Sequence, residues 1–191
     1  MWGRLETDSY RPILLLPVLS KIHEKVVKVR LIKYLVKIVF FNKYQNGFIS
    51  KSSTESAVFD MVSQLQTAWD NKEVAAALFV DLKKAFGTVS HNVLLDKLPG
   101  IGVRGVALSW FKNYLSGREQ FVVVENAISE TLPVVYGVPQ GSILGPILFL
   151  IYMNDIGNLD LAGTPYLFAD DTTTSYRAKT KEGLQDMMSK D

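Results

Sequence analysis

The stretch Tyr166-Leu167-Phe168-Ala169-Asp170-Asp171-Thr172-Thr173-Thr174-Ser175-Tyr176 sets two adjacent carboxylates in an otherwise apolar and hydroxyl-rich run. The Tyr-Leu-Phe-Ala flank has the composition of a half-buried strand and the Thr-Thr-Thr-Ser-Tyr flank that of a second strand. The acidic pair therefore falls at or near the turn of a hairpin. Like charges this close repel, and burying both at low dielectric is unfavourable unless a cation neutralises them. A hard divalent ion such as Mg²⁺ would do so, taking oxygen ligands from one or two carboxylates and filling its other positions with water and phosphate oxygens. A solvent-exposed acidic turn is the alternative reading, and the dipeptide alone does not choose between them.

A second acidic signal lies upstream. Ala75 to Val80 is a continuous apolar run that ends in Asp81, the pattern of a buried strand delivering a carboxylate at its end. A third feature is the backbone-permissive loop Gly137-Val138-Pro139-Gln140-Gly141-Ser142, in which Ser142 is placed to cap an apolar helix over 143–153. Carboxylates delivered by separate strands beside such a loop suit two-metal phosphoryl transfer, in which paired cations activate an attacking hydroxyl and stabilise the leaving oxygens.

The rest of the chain frames these elements. Its 191 residues, 48% of them hydrophobic, suffice for one well-buried domain and argue against disorder. A balance of 21 basic against 19 acidic residues is too even for bulk charge to indicate a nucleic-acid partner. Lys21, Lys25, Lys28, Arg30, Lys33 and Lys37 give a local basic bias that fits a solvated helix face as well as a phosphate-facing one. The chain has no cysteine, which excludes disulfides, thiolate zinc sites and thiol nucleophiles, and His23 and His91 are too few for a histidine metal cluster. The charged start, Met1 to Glu6, lacks the apolar core segment of a secretory signal, so none is expected there, and the apolar run Ile143 to Tyr152 is about half of what a bilayer requires. An intracellular protein, nuclear or cytoplasmic and without a membrane segment, is the expectation.

Periodicity predicts a helix from Lys21 to about Phe40, capped by Ser20, with Ile22, Val26, Val29, Ile32, Leu35, Val36 and Val39 inward. A second, capped by Thr54, runs to about Trp69 with Ala57, Val58, Met61, Leu65 and Ala68 inward. Further helices are expected at 91–98 and 104–115, strands at 119–126 and 131–136, and a short polar helix from Lys179. This alternation implies a mixed sheet covered by helices, an α+β fold.

At these residues the chain resembles reverse transcriptases of the non-long-terminal-repeat retrotransposon type. Tyr10-Arg11-Pro12-Ile13 through Leu19-Ser20-Lys21 is similar to the family's first block, and Gln45-Asn46-Gly47-Phe48 through Ser56-Ala57 to its second. Phe79-Val80-Asp81-Leu82-Lys83-Lys84-Ala85-Phe86 is similar to the first catalytic motif, Gly137 to Ser142 to the nucleotide-positioning motif, and Phe168-Ala169-Asp170-Asp171 to the second catalytic motif. Five blocks in order are far more specific than an Ala-Asp-Asp match alone.

The resemblance implies a right-hand polymerase copying RNA into DNA from deoxynucleoside triphosphates on a DNA primer, with a ferredoxin-like palm and partial fingers. Residues 1–75 would be fingers-like and 76–191 palm, with a fingers segment inserted at about 112–138. It implies Asp81, Asp170 and Asp171 as ligands for Mg²⁺, with Mn²⁺ as substitute. Phe86 would lie under the sugar of the incoming nucleotide, where its ring leaves no room for a 2′-hydroxyl; an ordinary core phenylalanine is the other reading. Gln140 and Gly141 would hold the nucleotide and template, and Arg11 would contact the triphosphate or form a structural salt bridge.

The chain departs from the family pattern in three places. Gly87 stands where aspartate normally follows the Ala-Phe pair, Ile49 stands where arginine typically follows Gly-Phe, and no thumb or endonuclease sequence precedes Asp191. Weak primer and template grip is the expected result. A non-catalytic remnant that binds RNA or a protein partner is therefore the alternative. An RNA-copying RNA polymerase is disfavoured by Phe86 and by Ala169, where that class usually has glycine.

Overall fold

The computed structural model describes residues 13–49 and 52–191. They form two compact units, each assembled from two separated stretches of sequence. The first holds the described residues up to Tyr34 together with Phe86–Leu148, and the second Leu35–Ala85 together with Phe149–Asp191. The architecture is α+β, as expected.

Helix α1 (Val18–Lys37) begins directly after Pro17, whose carbonyl accepts a hydrogen bond from the Lys21 amide at 3.2 Å. Ser20 is thus inside the first turn rather than its cap. The inward face also differs from the expected one. Glu24, Leu31 and Leu35 are buried, whereas Ile22, Val26, Val29, Val36 and the downstream Val39 are exposed. Apolar residues on α1 are frequent enough to define more than one stripe, and the chosen stripe is the one on which Glu24 finds hydrogen-bond donors.

In the first unit α3 (His91–Gly100) packs on α4 (Gly105–Leu115), burying Leu94, Leu98, Phe111 and Leu115. Ser90 caps α3 by accepting from the Val93 amide. The two strands expected at 119–126 and 131–136 are four two-residue pieces. β2 (Glu119–Gln120) pairs with β5 (Leu132–Pro133), and β3 (Val123–Val124) with β4 (Ala127–Ile128). Between them the register shifts by one residue: the Ser129 amide still donates to the Val122 carbonyl at 2.9 Å, but the Val122 amide goes to the Ser129 hydroxyl instead of continuing the ladder.

Helix α5 (Gly145–Met153) is apolar all round and is buried along most of its length from Ile147 to Ile151, as such a composition requires.

The second unit is built on an antiparallel sheet in the order β1–β7–β6, formed by β1 (Val74–Val80), β6 (Thr164–Phe168) and β7 (Asp171–Ala178). Helix α2 (Thr54–Asp70) lies against all three strands and α6 (Lys181–Met188) against β1 and β7. The cap of α2 is Ser53, one residue before the Thr54 expected, and it forms a reciprocal capping box with Ser56. Val58, expected inward, is exposed.

β1 departs from expectation in burial. It forms where the apolar run predicts a strand, yet among the described residues it is an edge strand paired only to β7, and Phe79 is 70% exposed. A continuous apolar run cannot distinguish a central strand from an edge.

Candidate active site

Register brings the acidic residues to one end of the β1–β7–β6 sheet. Val80 pairs with Thr172, so Asp81 follows the last pair on β1 while Asp171 precedes it on β7. Phe168 pairs with Asp171, leaving Ala169 and Asp170 as a two-residue hairpin turn. Ala169 has φ +58°, the left-handed conformation that tight hairpins demand at a central position and that a residue with a Cβ adopts at a cost. Asp81 and Asp171 are exposed and Asp170 is half-buried.

Three aspartates stand at this sheet end, and carboxylate oxygens are the donors a hard divalent cation takes while keeping positions open for water and phosphate. Among the described residues, no group of three or more His, Cys, Asp or Glu side chains is assembled to hold a metal ion. Completion by water and phosphate oxygens is what that chemistry would require.

The first unit holds the loop singled out at 137–142. Its backbone is tied to the segment that follows Ala85: Val138 donates to the Phe86 carbonyl and Gly137 to the Val89 carbonyl, each at 2.8 Å. A ring nitrogen of His91 lies 2.7 Å from the Gly137 carbonyl. Gly137 has φ +89°, and a Cβ there would sit 2.9 Å from the Gly87 carbonyl oxygen, so the two backbones approach as only glycine permits. Phe86 and the Gln140 loop are therefore neighbours by backbone pairing. On the other side the Leu14 amide donates to the Gln140 carbonyl at 3.1 Å, and Gly141 has φ +92°. Gln140 is half-buried and Phe86 likewise. Arg11 lies outside the described residues.

Ser142 behaves as predicted, accepting from the Gly145 amide at 2.9 Å at the start of α5. Glu24, which the sequence reading missed, completes this anchorage. Its carboxylate is 1% exposed and accepts from the amides of Ile143 at 2.6 Å and Leu144 at 3.3 Å and from the Tyr114 hydroxyl at 3.1 Å. A buried carboxylate with several donors is tolerated where an unpaired one is not. Burial pushes the Tyr114 hydroxyl up to about 12, and the Glu24 charge acts in the same direction against an opposing Ser142 contact. The available signal was spacing: Glu24 falls in one stripe with Leu31 and Leu35.

Residues 4–190 match the family described as reverse transcriptase (RNA-dependent DNA polymerase). The chain belongs to this family. As a reverse transcriptase chain it is 36% identical over 189 residues to a probable RNA-directed DNA polymerase from transposon X-element of Drosophila melanogaster, covering 95% of this chain and 21% of that protein. Over 151 residues it is 35% identical to the RNA-directed DNA polymerase from mobile element jockey of the same fly, covering 79% and 16%. The reverse transcriptase chain thus spans about a fifth or less of these relatives.

Among solved structures it resembles apo telomerase from Candida tropicalis (TM-score 0.60, 14% identity, 90% of this chain and 33% of that one). Telomerase from Candida albicans in complex with a fragment of telomeric RNA gives TM-score 0.60 at 14% identity, covering 91% of this chain and 32% of that one. These likenesses show the fold, which agrees with a polymerase palm and fingers. Polymerases of this family use divalent metal ions. No helix among the described residues is long and apolar enough to cross a membrane.

Proposed function

We propose that this chain carries the nucleotidyl-transfer centre of a retrotransposon RNA-directed DNA polymerase, acting on an RNA template, a DNA primer and deoxynucleoside triphosphates. The observation that supports it most is the register of β1 on β7, which sets Asp81 at the sheet end that carries Asp170 and Asp171. Asp81 and Asp170 would be the principal ligands of Mg²⁺, or of Mn²⁺ in its place, and Asp171 a further contact. When bound, paired cations lower the pKa of the primer hydroxyl and offset charge on the leaving phosphate oxygens.

The remaining roles belong to the chain's own side chains. Gln140 offers a donor and an acceptor to nucleotide and template on a loop held by Glu24 and Ser142, and Gly141 lets backbone approach closely. The Phe86 ring excludes a 2′-hydroxyl, and the Arg11 guanidinium matches a triphosphate. Residues 1–75 would serve as fingers and 76–191 as palm, with the 112–138 segment returning to the fingers.

Primer extension on an RNA template with Mg²⁺ or Mn²⁺ tests this. Incorporation should require the metal and vanish in Asp81→Ala and in Asp170→Ala; equal activity in wild type and both variants would sink the assignment.

Ile49 and Gly87, together with the lack of an assembled three-ligand group among the described residues, favour a second reading. In it the chain is a non-catalytic remnant that binds RNA or a protein partner. That reading predicts salt-sensitive RNA binding with no metal-dependent synthesis.

A further inference from the structure

The loop from Asn42 to Gly47 runs beside the outer edge of β6 and ends against the acidic turn. Tyr44 accepts from the Leu167 amide at 3.0 Å and Asn46 donates to the Leu167 carbonyl at 2.7 Å, so Gln45 forms a parallel bridge to Leu167. The loop is braced behind. Asn154 donates through Nδ2 to the Phe40 carbonyl at 2.8 Å and accepts through Oδ1 from the Asn42 amide at 3.0 Å, and Asn42 Oδ1 accepts from the Tyr44 amide at 3.0 Å. From this frame the Gln45 side chain, 7% exposed, turns inward, and its Oε1 accepts from two amides: Gly47 at 2.7 Å and Ala169 at 3.0 Å.

The second of these bonds matters most. Ala169 immediately precedes Asp170, is itself buried, and holds the left-handed φ described above. A non-glycine residue persists in that region only where its surroundings over-determine it. Its buried amide has its partner in Gln45, and an unpartnered buried amide is itself unfavourable. Gly47 closes the arrangement: a Cβ there would fall 2.3 Å from the Ala169 nitrogen and 3.0 Å from the Phe168 carbonyl carbon, both rigid backbone atoms. Loop and turn are thus fitted to each other without slack.

We infer that Gln45 is a positioning residue for the metal-binding carboxylates: through the Ala169 amide it fixes the turn from which Asp170 and Asp171 project. It touches no reacting atom. The inference rests on the polymerase reading of Asp81, Asp170 and Asp171. A supporting shell of this kind, when lost, typically lowers metal affinity about ten-fold or more.

The test compares wild type with Gln45→Met, which keeps the side-chain length and removes the acceptor. Two readouts are taken: hydrogen exchange at the Ala169 amide, and Mn²⁺ affinity by electron paramagnetic resonance of the free ion. The expected result is exchange at Ala169 faster by about ten-fold or more, with Ser175 and Tyr176 unchanged, and Mn²⁺ bound about ten-fold more weakly. Gln45→Glu, which keeps an acceptor oxygen in place, should restore slow exchange. Unchanged exchange in Gln45→Met, or faster exchange with unaltered Mn²⁺ affinity, would overturn the positioning role.

An Asp170→Asn arm separates this from failure of the underlying reading. Mn²⁺ binding that is as tight in Asp170→Asn as in wild type removes the metal site and the inference with it. Should Gln45→Met not fold, wild type alone decides, because an Ala169 amide exchanging at the rate of an unprotected one rules out the bond.

Discussion

Glu24 and Tyr114 form the most informative side-chain pair outside the acidic turn. Three donors converge on one buried carboxylate, so Glu24→Ala would strand the Ile143 and Leu144 amides and the Tyr114 hydroxyl. A loss of about 3 kcal/mol in urea unfolding is expected, with Glu24→Gln milder because it keeps one acceptor. Tyr114 gives this region a pH signature. Its folded pKa of about 12 exceeds the ordinary value of 10.0, so the folded state retains a proton that the unfolded chain releases first. The associated stability is whole below about pH 10 and is lost as pH rises through about 12. Burial also raises Tyr166 and Tyr176, so tyrosinate absorbance should show several late-titrating tyrosines, one of which Tyr114→Phe removes; a titration unchanged by that variant would contradict the burial argument. Neither residue belongs to a motif that the sequence makes conspicuous, because a glutamate among lysines on a helix reads as a solvated charge until its stripe is traced.

At the level of elements, the helices and the acidic hairpin were legible and the burial of their faces was not. The acidic hairpin with its Ala169-Asp170 turn, α2 to α4 and the Ser142 cap follow from apolar spacing and capping residues, whose causes are local. The inward face of α1 and the edge status of β1 depend on partners distant in sequence, and no local pattern encodes them. The 119–136 region looked like two strands because valine and isoleucine are frequent, yet a one-residue shift of register, with the Ser129 hydroxyl taking the Val122 amide, divides the pairing. The outer part of β1 carries a testable liability. Leu78, Phe79 and Val80 are exposed on an edge strand, the arrangement that lysine blocks in natural sheets. Phe79→Lys should reduce self-association in sedimentation velocity and shift stability by no more than about 0.5 kcal/mol, as for other exposed positions. Equal self-association in the variant would show that this strand is not the sticky surface.

For the whole molecule, the family and the carboxylate end of the sheet could be read from five ordered blocks, whereas the supporting network could not. Gln45 stands inside one of those blocks, but its partner amide is more than a hundred residues away and only the fold brings them together. Metal should couple to global stability by mass action. At a free Mg²⁺ concentration about a hundred-fold above its dissociation constant, unfolding should become harder by ~2.7 kcal/mol, visible as a raised melting temperature that chelation reverses. The rise should be absent in Asp81→Asn and Asp170→Asn, and a rise of equal size in those variants would place the ion elsewhere. The pairing of β1 with β7 has a further consequence during synthesis. Val74 leaves the ribosome about a hundred residues before its partner Ala178, which at about 5–20 residues per second leaves the nascent strand waiting roughly 5–20 seconds with its apolar side chains unmatched. Yield in a heterologous host should therefore be governed by chaperone capacity and growth temperature during that interval.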